Sequence, residues 1–179
     1  MAGIEVLRSI QRGTLTFFIM KGYPDDLLEG EDWESSHWGL LKVGNDRYYR
    51  IAEQGIDSIE KRISDPNDNL AGIVQEQSLL LQLPLNKDKM YGETFQLTRT
   101  DSLYCWCVKG SDNYDPSPLK IEGLKNTMVQ FTLRYATIAD ETLIDFVPGL
   151  GITGYRYHHH GTPNEIAVKL MEVKTNPDN

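Results

Sequence analysis

The chain has 179 residues, of which 40% are hydrophobic and 25% are charged, and its formal net charge is -8. This composition excludes a disordered chain, and the length suits a single domain over residues 1–179. We expect the packed part to cover 13–173, with frayed ends at 1–3 and 174–179. The negative charge repels phosphate groups, which argues against nucleic-acid binding. No apolar run approaches the roughly 20 residues of a membrane-spanning helix, so no integral membrane segment is expected.

The first half of the chain carries two predicted hairpins and one helical segment. Alternation of apolar and polar residues predicts strands at 4–10, 14–20, 38–43 and 47–52. Gly13 supplies the positive φ of the first turn, and a short helix over 4–10 is the alternative for the first strand. The acidic stretch 21–36 is read as a loop. Isoleucines spaced three and four apart predict a short helix over 56–63, whereas 69–77 stays open between a helix and an irregular segment.

The second half of the chain is predicted to be β throughout. Strands are expected at 79–83, 94–98, 103–108, 129–135, 143–147, 152–160 and 166–173. Residues 110–118 are read as a polar loop, and strand 103–108, apolar on both faces, is expected to be central. Pro84 suits a strand end at a sheet edge. About ten short strands separated by turn signals predict a mainly β fold. The expected form is a curved antiparallel sheet, open or forming an incomplete barrel, with at most one or two short helices.

The two cysteines, Cys105 and Cys107, lie two residues apart on a predicted strand. They point to the same face about 6.6 Å apart, which is too far for an unstrained disulfide. We interpret them as small buried apolar residues. Cysteine use therefore does not indicate a redox compartment.

The most distinctive stretch is 146–161. Pro148 and Gly149 suit the two central positions of a type II turn, because proline fixes the first φ and glycine accepts a positive second φ. Gly151 and Gly154 remove side chains where the chain packs closely. The stretch thus predicts a structural turn at Pro148, Gly149 and Gly151, followed by a strand.

Side chains on that strand alternate between two faces. Tyr155, Tyr157 and His159 share one face, and Arg156, His158 and His160 share the other. His158 and His160 are therefore candidates to chelate one zinc or copper ion. A third ligand would come from His37, Asp145, Glu165 or a cysteine. We prefer to interpret these histidines as polar strand-end residues, so no metal and no cofactor is predicted.

Sequence motifs that indicate an enzyme are missing. There is no Gly-x-Ser-x-Gly elbow, and the glycines near Pro148 lack the lysine and helix of a phosphate-binding loop. Asp140 and Glu141 form a carboxylate pair at a predicted turn and are read as solvated. Cys105 lies among apolar neighbours, where a thiol stays protonated. No catalytic residue is predicted.

A binding role is the main hypothesis from the residues. The candidate ligand-binding residues are Trp38, Trp106, Tyr155, Arg156, Tyr157, His158 and His160. A groove on the concave side of a curved sheet can be lined by aromatic rings that offer flat apolar faces to a lipid, a glycan or a peptide, those of Trp33, Trp38, Trp106, Tyr155 and Tyr157. The alternative for each ring is an ordinary half-buried place in the sheet.

Several turn and strand-end motifs resemble a group of uncharacterised bacterial cell-envelope proteins. The motifs are Leu83-Pro84-Leu85, Tyr91-Gly92, Asp145-Phe146-Val147-Pro148-Gly149-Leu150-Gly151-Ile152, and Glu165 before the last strand. In that group, made as secreted or lipid-anchored precursors, a Leu-Pro-Leu strand precedes an aromatic-x-Pro-Gly-hydrophobic-Gly turn. The resemblance covers residues 79–173 and, more faintly, 13–51, and it implies a curved antiparallel sheet and an extracytoplasmic setting. This chain departs from the group in carrying no export signal at its N-terminus.

Together, the residues and the resemblance predict a non-catalytic binding or scaffolding protein of the cell envelope, or a secreted one. The expected partner is one of three kinds: a small apolar ligand such as a lipid, a glycan ligand, or another envelope protein. The alternative is a metal-binding protein or a hydrolase that uses His158 and His160.

Overall fold

The computed structural model describes residues 4–22, 36–75, 78–121, 127–161 and 165–173. The predicted loop at 21–36 lies almost entirely outside these residues, and so do the ends expected to fray. The chain divides into two compact units. The first comprises Met1–Pro84 and Gly92–Phe95, and the second comprises Leu85–Tyr91 and Gln96–Asn179.

The prediction of a mainly β fold is confirmed. The described residues form eleven strands in two open antiparallel sheets, together with one α-helix, and neither sheet closes into a barrel. Each unit contains one of the sheets. The expectation of a single domain stays a prediction.

The sheet of the first unit has five strands in chain order. They are β1 (Glu5–Arg12), β2 (Leu15–Lys21), β3 (His37–Val43), β4 (Arg47–Ile51) and β5 (Leu79–Gln82). Both predicted hairpins are confirmed, and Gly13 (φ 59°) and Gly44 (φ 63°) supply the positive φ of their turns. β5 ends before Pro84 at the edge of the sheet, as predicted.

One face of this sheet forms a core with helix α1 (Ile56–Ser64), the helix that the isoleucine spacing predicts. Ile56, Ile59 and Ile63 are buried on it, and they pack with Phe17 and Leu41 of the sheet. Full burial of a side chain of this size contributes about 1.5–3 kcal/mol. The chain that follows, described as far as residue 75, forms turns and irregular structure, which decides the open alternative at 69–77 for its described part.

Arg12 joins the end of β1 to the end of α1. Its guanidinium donates to the backbone carbonyls of Arg62, Asp65, Pro66 and Asp68, at 2.6 to 3.3 Å. Such carbonyls lack partners where a helix ends. Arg62 in turn binds both carboxylate oxygens of Asp68, at 2.9 and 3.0 Å. This pair, with a hydrogen bond from the backbone N–H of Leu70, lowers the pKa of Asp68 to about 2.

The sheet of the second unit has six strands. They are β6 (Met90–Tyr91), β7 (Trp106–Tyr114), β8 (Met128–Ala136), β9 (Asp140–Val147), β10 (Gly151–His159) and β11 (Glu165–Lys169), in the order β11-β10-β9-β8-β7-β6. One row across the sheet joins Val108, Leu133, Ile144 and Tyr155 in register. All four are buried. The strands predicted at 129–135 and 152–160 are confirmed, although Val129, on the face predicted to be buried, is exposed.

The predicted strand at 94–98 is wrong. These residues form a turn followed by the 3-10 turn Gln96–Thr98, and the side chains of Phe95 and Leu97 are exposed. Their alternation with threonine and glutamine imitates a strand. A strand also requires a neighbour for its backbone hydrogen bonds, and no described strand pairs with this segment.

The limits of β7 also differ from the prediction. The extended chain begins at Trp106 rather than at residue 103, because Ser102 (φ 56°) and Tyr104 (φ 61°) lie in the left-handed region. The strand then runs through Tyr114 into the predicted polar loop, since polar residues pair with β8 as well as apolar ones do. β6 pairs with only the first part of β7, so β7 lies next to the edge rather than at the centre.

Among the described helices, none is long and apolar enough to cross a bilayer.

Candidate functional site

The predicted type II turn between β9 and β10 is present. The backbone N–H of Leu150 donates to the carbonyl of Val147 at 3.0 Å, and Gly149 has a φ of 87°. Gly151 has a φ of 100° and starts β10. A Cβ at Gly149 or Gly151 would meet no atom within 4 Å, so backbone conformation rather than space requires glycine there.

Gly154 is required for space. The register of β10 against β9 shifts between Ile152 and Gly154, which marks a β-bulge. Asp145 lies directly across from Gly154, and a Cβ at Gly154 would stand 2.8 Å from its Oδ2. The missing side chain therefore leaves room for a carboxylate over the strand.

Asp145 organises one polar face of β8, β9 and β10. It accepts a hydrogen bond from the hydroxyl of Thr132 at 2.8 Å and contacts from Nη2 of Arg156 at 3.1 and 3.2 Å. On the same sheet Arg134 Nε donates to Glu141 at 2.5 Å. Because the side chain of Arg156 is half exposed, it keeps donors directed toward solvent.

His158 and His160 lie together, as their shared face predicts. Their rings meet edge to face with centroids 4.9 Å apart, and Nδ1 of His158 is 3.1 Å from Glu165 Oε1. Of the residues considered as a third ligand, Asp145 is paired with Arg156. His37 lies in the first unit, with its Nδ1 3.7 Å from Oε1 of Glu53. Across the described ranges, no three histidine, cysteine or acidic side chains converge as metal ligands.

The opposite face of β10 carries a cluster around Asp140. Its Oδ1 accepts a hydrogen bond from the hydroxyl of Tyr157 at 2.5 Å and lies 2.7 Å from Nδ1 of His159, while Thr137 donates to Oδ2 at 3.2 Å. The bond from Tyr157, followed by that from His159, lowers the pKa of Asp140. Asp140 is solvated, as predicted, with 38% of its side chain exposed, but it also joins β9 to two side chains of β10, which the sequence did not indicate.

This cluster fixes the orientation of an imidazole. With Nδ1–H of His159 directed to Asp140, Nε2 becomes the acceptor nitrogen, as in the histidine–carboxylate pairs of general-base sites. Such a base requires a nucleophile within hydrogen-bond reach, and no hydrogen bond found among the described side chains links His159 to a serine, threonine or cysteine. The geometry fits a structural cross-link between β9 and β10, in which Asp140 binds Tyr157 and His159.

Three of the predicted ligand-binding rings are buried. Tyr155 is 1% exposed, and Trp106 is 9% exposed and packs against Tyr135 with ring centroids 5.3 Å apart. Trp38 belongs to the first unit, where its Nε1 donates to the carbonyl of Gly22 at 2.8 Å. Tyr157 is partly exposed but is bound to Asp140, and Trp33 lies outside the described residues. The described rings thus occupy sheet positions rather than an open row.

Both cysteines are free thiols. Cys105 is buried just before β7, and burial raises the pKa of its thiol. Cys107 is half-buried in β7 opposite Arg134. A buried thiol with a raised pKa stays protonated and is a poor nucleophile.

Sequence reasoning missed the outer edge of β1. This strand has β2 on one side and no other described strand beside it. Ile4, Val6 and Leu7 expose more than two fifths of their surface there. The signal was present in the sequence, because apolar residues at 4, 6 and 7 do not fit the alternation of a strand with one buried face.

Comparison of this chain with protein-family models, with curated proteins and with solved structures finds no match. The resemblance to envelope proteins therefore stays a prediction, and function has to be argued from the residues themselves.

Proposed function

We propose that this protein is a non-catalytic binding or scaffolding protein, located in the cell envelope or secreted, that contacts a protein partner through β1. The observation that carries the proposal is the exposure of Ile4, Val6 and Leu7 at a strand edge beside which no other described strand lies. An edge strand presents unpaired N–H and C=O groups, and added strands give many protein complexes their affinity.

A protein partner has more support than a glycan. Glycan stacking needs exposed ring faces, whereas Trp38, Trp106 and Tyr155 are buried. An extended peptide needs only the backbone of an edge strand and side chains on its two faces. β1 offers both.

The alternative role, a metal-binding protein or a hydrolase, rests on His158 and His160. Their rings are close enough to share a ligand, but Glu165 already lies against His158. No observation in the described ranges favours this alternative over the contact role of β1.

The extracytoplasmic setting is part of the proposal and comes from the resemblance. Its supporting feature is the tight turn around Pro148 and Gly149, since this turn lies at the centre of the resembling motif. Fractionation of the cells that produce the protein tests this part, and recovery in the cytoplasm alone would contradict it.

Photo-crosslinking tests the use of β1. A photo-reactive benzoylphenylalanine replaces Leu7, and the matched control places it at Ile138, which is more exposed and belongs to the second unit. We expect a discrete cross-linked product from position 7 after irradiation of the producing cells, identified by mass spectrometry, and none from position 138. Equal products from the two positions, or none from position 7, would show that β1 is not the contact surface.

A further inference from the structure

We infer that the partner of β1 is a second copy of this chain, which pairs antiparallel to it with Glu5 of each copy opposite Arg8 of the other. This inference deepens the proposed function and rests on it for the use of β1. The contact would be isologous, so that one self-complementary strand edge serves both copies.

A β-bulge in β1 makes this register possible. Glu5 pairs with Lys21 and Arg8 pairs with Ile19, while Leu7 has no partner on β2. Lys21 and Ile19 are two residues apart and share a face, so Glu5 and Arg8 share that face although they are three residues apart. In a regular strand, residues three apart point to opposite faces.

Facing side chains of an antiparallel pair lie on the same face of the sheet. With the two-fold axis between Val6 and Leu7, three pairs form and then recur by symmetry. The pairs are Ile4 with Ser9, Glu5 with Arg8, and Val6 with Leu7. This register covers the three exposed apolar residues at the edge. It also sets a carboxylate opposite a guanidinium twice.

Arg8 has donors left for this second carboxylate. It binds Glu60 of its own chain at 2.6 Å through Nη2, yet its side chain is 60% exposed. A guanidinium carries five N–H donors. A register that sets Glu5 opposite Arg12 also pairs opposite charges, but the guanidinium of Arg12 already donates to four backbone carbonyls. Charge complementarity therefore selects Arg8.

The contact is small, which sets the expected affinity. Six positions on each copy bury far less than the roughly 1,200–2,000 Å² of a stable interface. The two copies also carry the same net charge of -8, which opposes association. We therefore expect a reversible dimer with a dissociation constant on the order of tens to hundreds of micromolar.

Sedimentation equilibrium from about 10 µM to 1 mM, a range set by that affinity, tests the inference with a pair of charge reversals. Each of E5R and R8E alone sets like charges opposite each other twice, so self-association should weaken about tenfold or more. In an equimolar mixture, every pair of the mixed dimer again joins opposite charges. Association should then recover, and a structural defect in either variant would not produce that recovery.

Further measurements and variants distinguish a loss of dimerisation from a folding defect. R8E also faces Glu60 in its own chain, so thermal unfolding of each variant at low concentration checks the fold. Val6→Lys should abolish dimerisation without touching that pair, while Ile138→Lys, at an exposed apolar position in the other unit, should leave it unchanged. Dimerisation that resists both E5R and Val6→Lys would overturn the inference.

The outcomes also separate this inference from the proposed function. A chain that stays monomeric to about 1 mM, well above that affinity, while position 7 cross-links to a different protein, refutes self-pairing and supports a contact role for β1. A cross-linked product at twice the mass of the chain supports both. Monomeric protein without a product from position 7 refutes both.

Discussion

One edge strand of each sheet, β1 and β11, has no other described strand on its outer side, and the two carry different side chains. Along β11, Ile166 and Val168 are half-buried, while Glu165 and Lys169 are exposed beside Ala167. Along the first half of β1, apolar and charged residues are exposed alike, and its distinguishing irregularity is the bulge. The difference between the two edges thus lies in their apolar side chains, which are exposed along the first half of β1 and half-buried along β11. This difference supports the proposal that β1, rather than β11, accepts a partner.

The two sheets also differ in the side chain for which a glycine leaves room. In the first sheet, Gly39 makes room for the ring of Phe17 in an apolar core. In the second, Gly154 makes room for the carboxylate of Asp145, which binds Thr132 and Arg156. The glycine of the first sheet thus serves apolar packing, and that of the second serves cross-strand hydrogen bonds, one part-buried and one exposed.

The largest effect that tests this contrast is expected from Gly39→Ala. Its Cβ would overlap the ring of Phe17, coming within 2.6 Å of Cζ, and overpacking of this kind costs about 3 kcal/mol. Gly154→Ala displaces only a flexible carboxylate and should cost less than about 1 kcal/mol. Urea unfolding measures both free energies. Equal losses of unfolding free energy would contradict the expectation that the ring of Phe17 yields less easily than the carboxylate of Asp145.

A smaller effect is expected from the arginines that tie strands to their neighbours. Arg12→Ala removes four hydrogen bonds to backbone carbonyls. Among the described residues, only the carbonyl of Asp65 also accepts from a backbone N–H, that of Asp68. The variant should therefore lower the free energy of unfolding by about 1–2 kcal/mol. Arg156→Ala removes a half-exposed ion pair, which is worth about 0–1 kcal/mol. Arg12→Lys is the control, since a single ammonium cannot span the four acceptors. Full stability of Arg12→Lys would contradict a stabilising role for these four hydrogen bonds.

The smallest effects are expected in the titration of two aspartates. Both have lowered pKa values, so each stabilises the folded chain fully above its unfolded pKa, near pH 4. That stabilisation is lost as the pH falls through the folded pKa, which is about 2 for Asp68. Arg62→Gln should raise the pKa of Asp68 toward 3.8. Tyr157→Phe should raise that of Asp140 less, because His159 and Thr137 still bind it.

Carbon-detected NMR titration of the two carboxyl groups measures these shifts. The matched control is Tyr114→Phe, which removes a hydroxyl from β7. An Asp140 titration that is unchanged in Tyr157→Phe would show that the 2.5 Å contact does not persist in solution.

Features that depend on local backbone chemistry could be predicted from the sequence. The turns at Gly13 and Gly149 follow from the need for positive φ, and the helix over 56–63 follows from the spacing of its isoleucines. The shared face of His158 and His160 follows from the period of a strand. These features need no knowledge of distant residues.

Features that depend on a strand neighbour could not be predicted. Residues 94–98 alternate but find no strand beside them, whereas the polar end of β7 pairs with β8. The bulge at Leu7 becomes visible only in the register against β2. The partners of Asp140 lie 17 and 19 residues away on β10, so no spacing within β9 reveals them.

The four bonds of Arg12 have a consequence for the order of folding. They connect residues 50 to 56 positions apart, so they require the closure of a long loop. Closing such a loop is slow and entropically costly compared with forming the hairpin of β1 and β2. We therefore expect the hairpin of β1 and β2 to form before Arg12 connects β1 to the end of the helix.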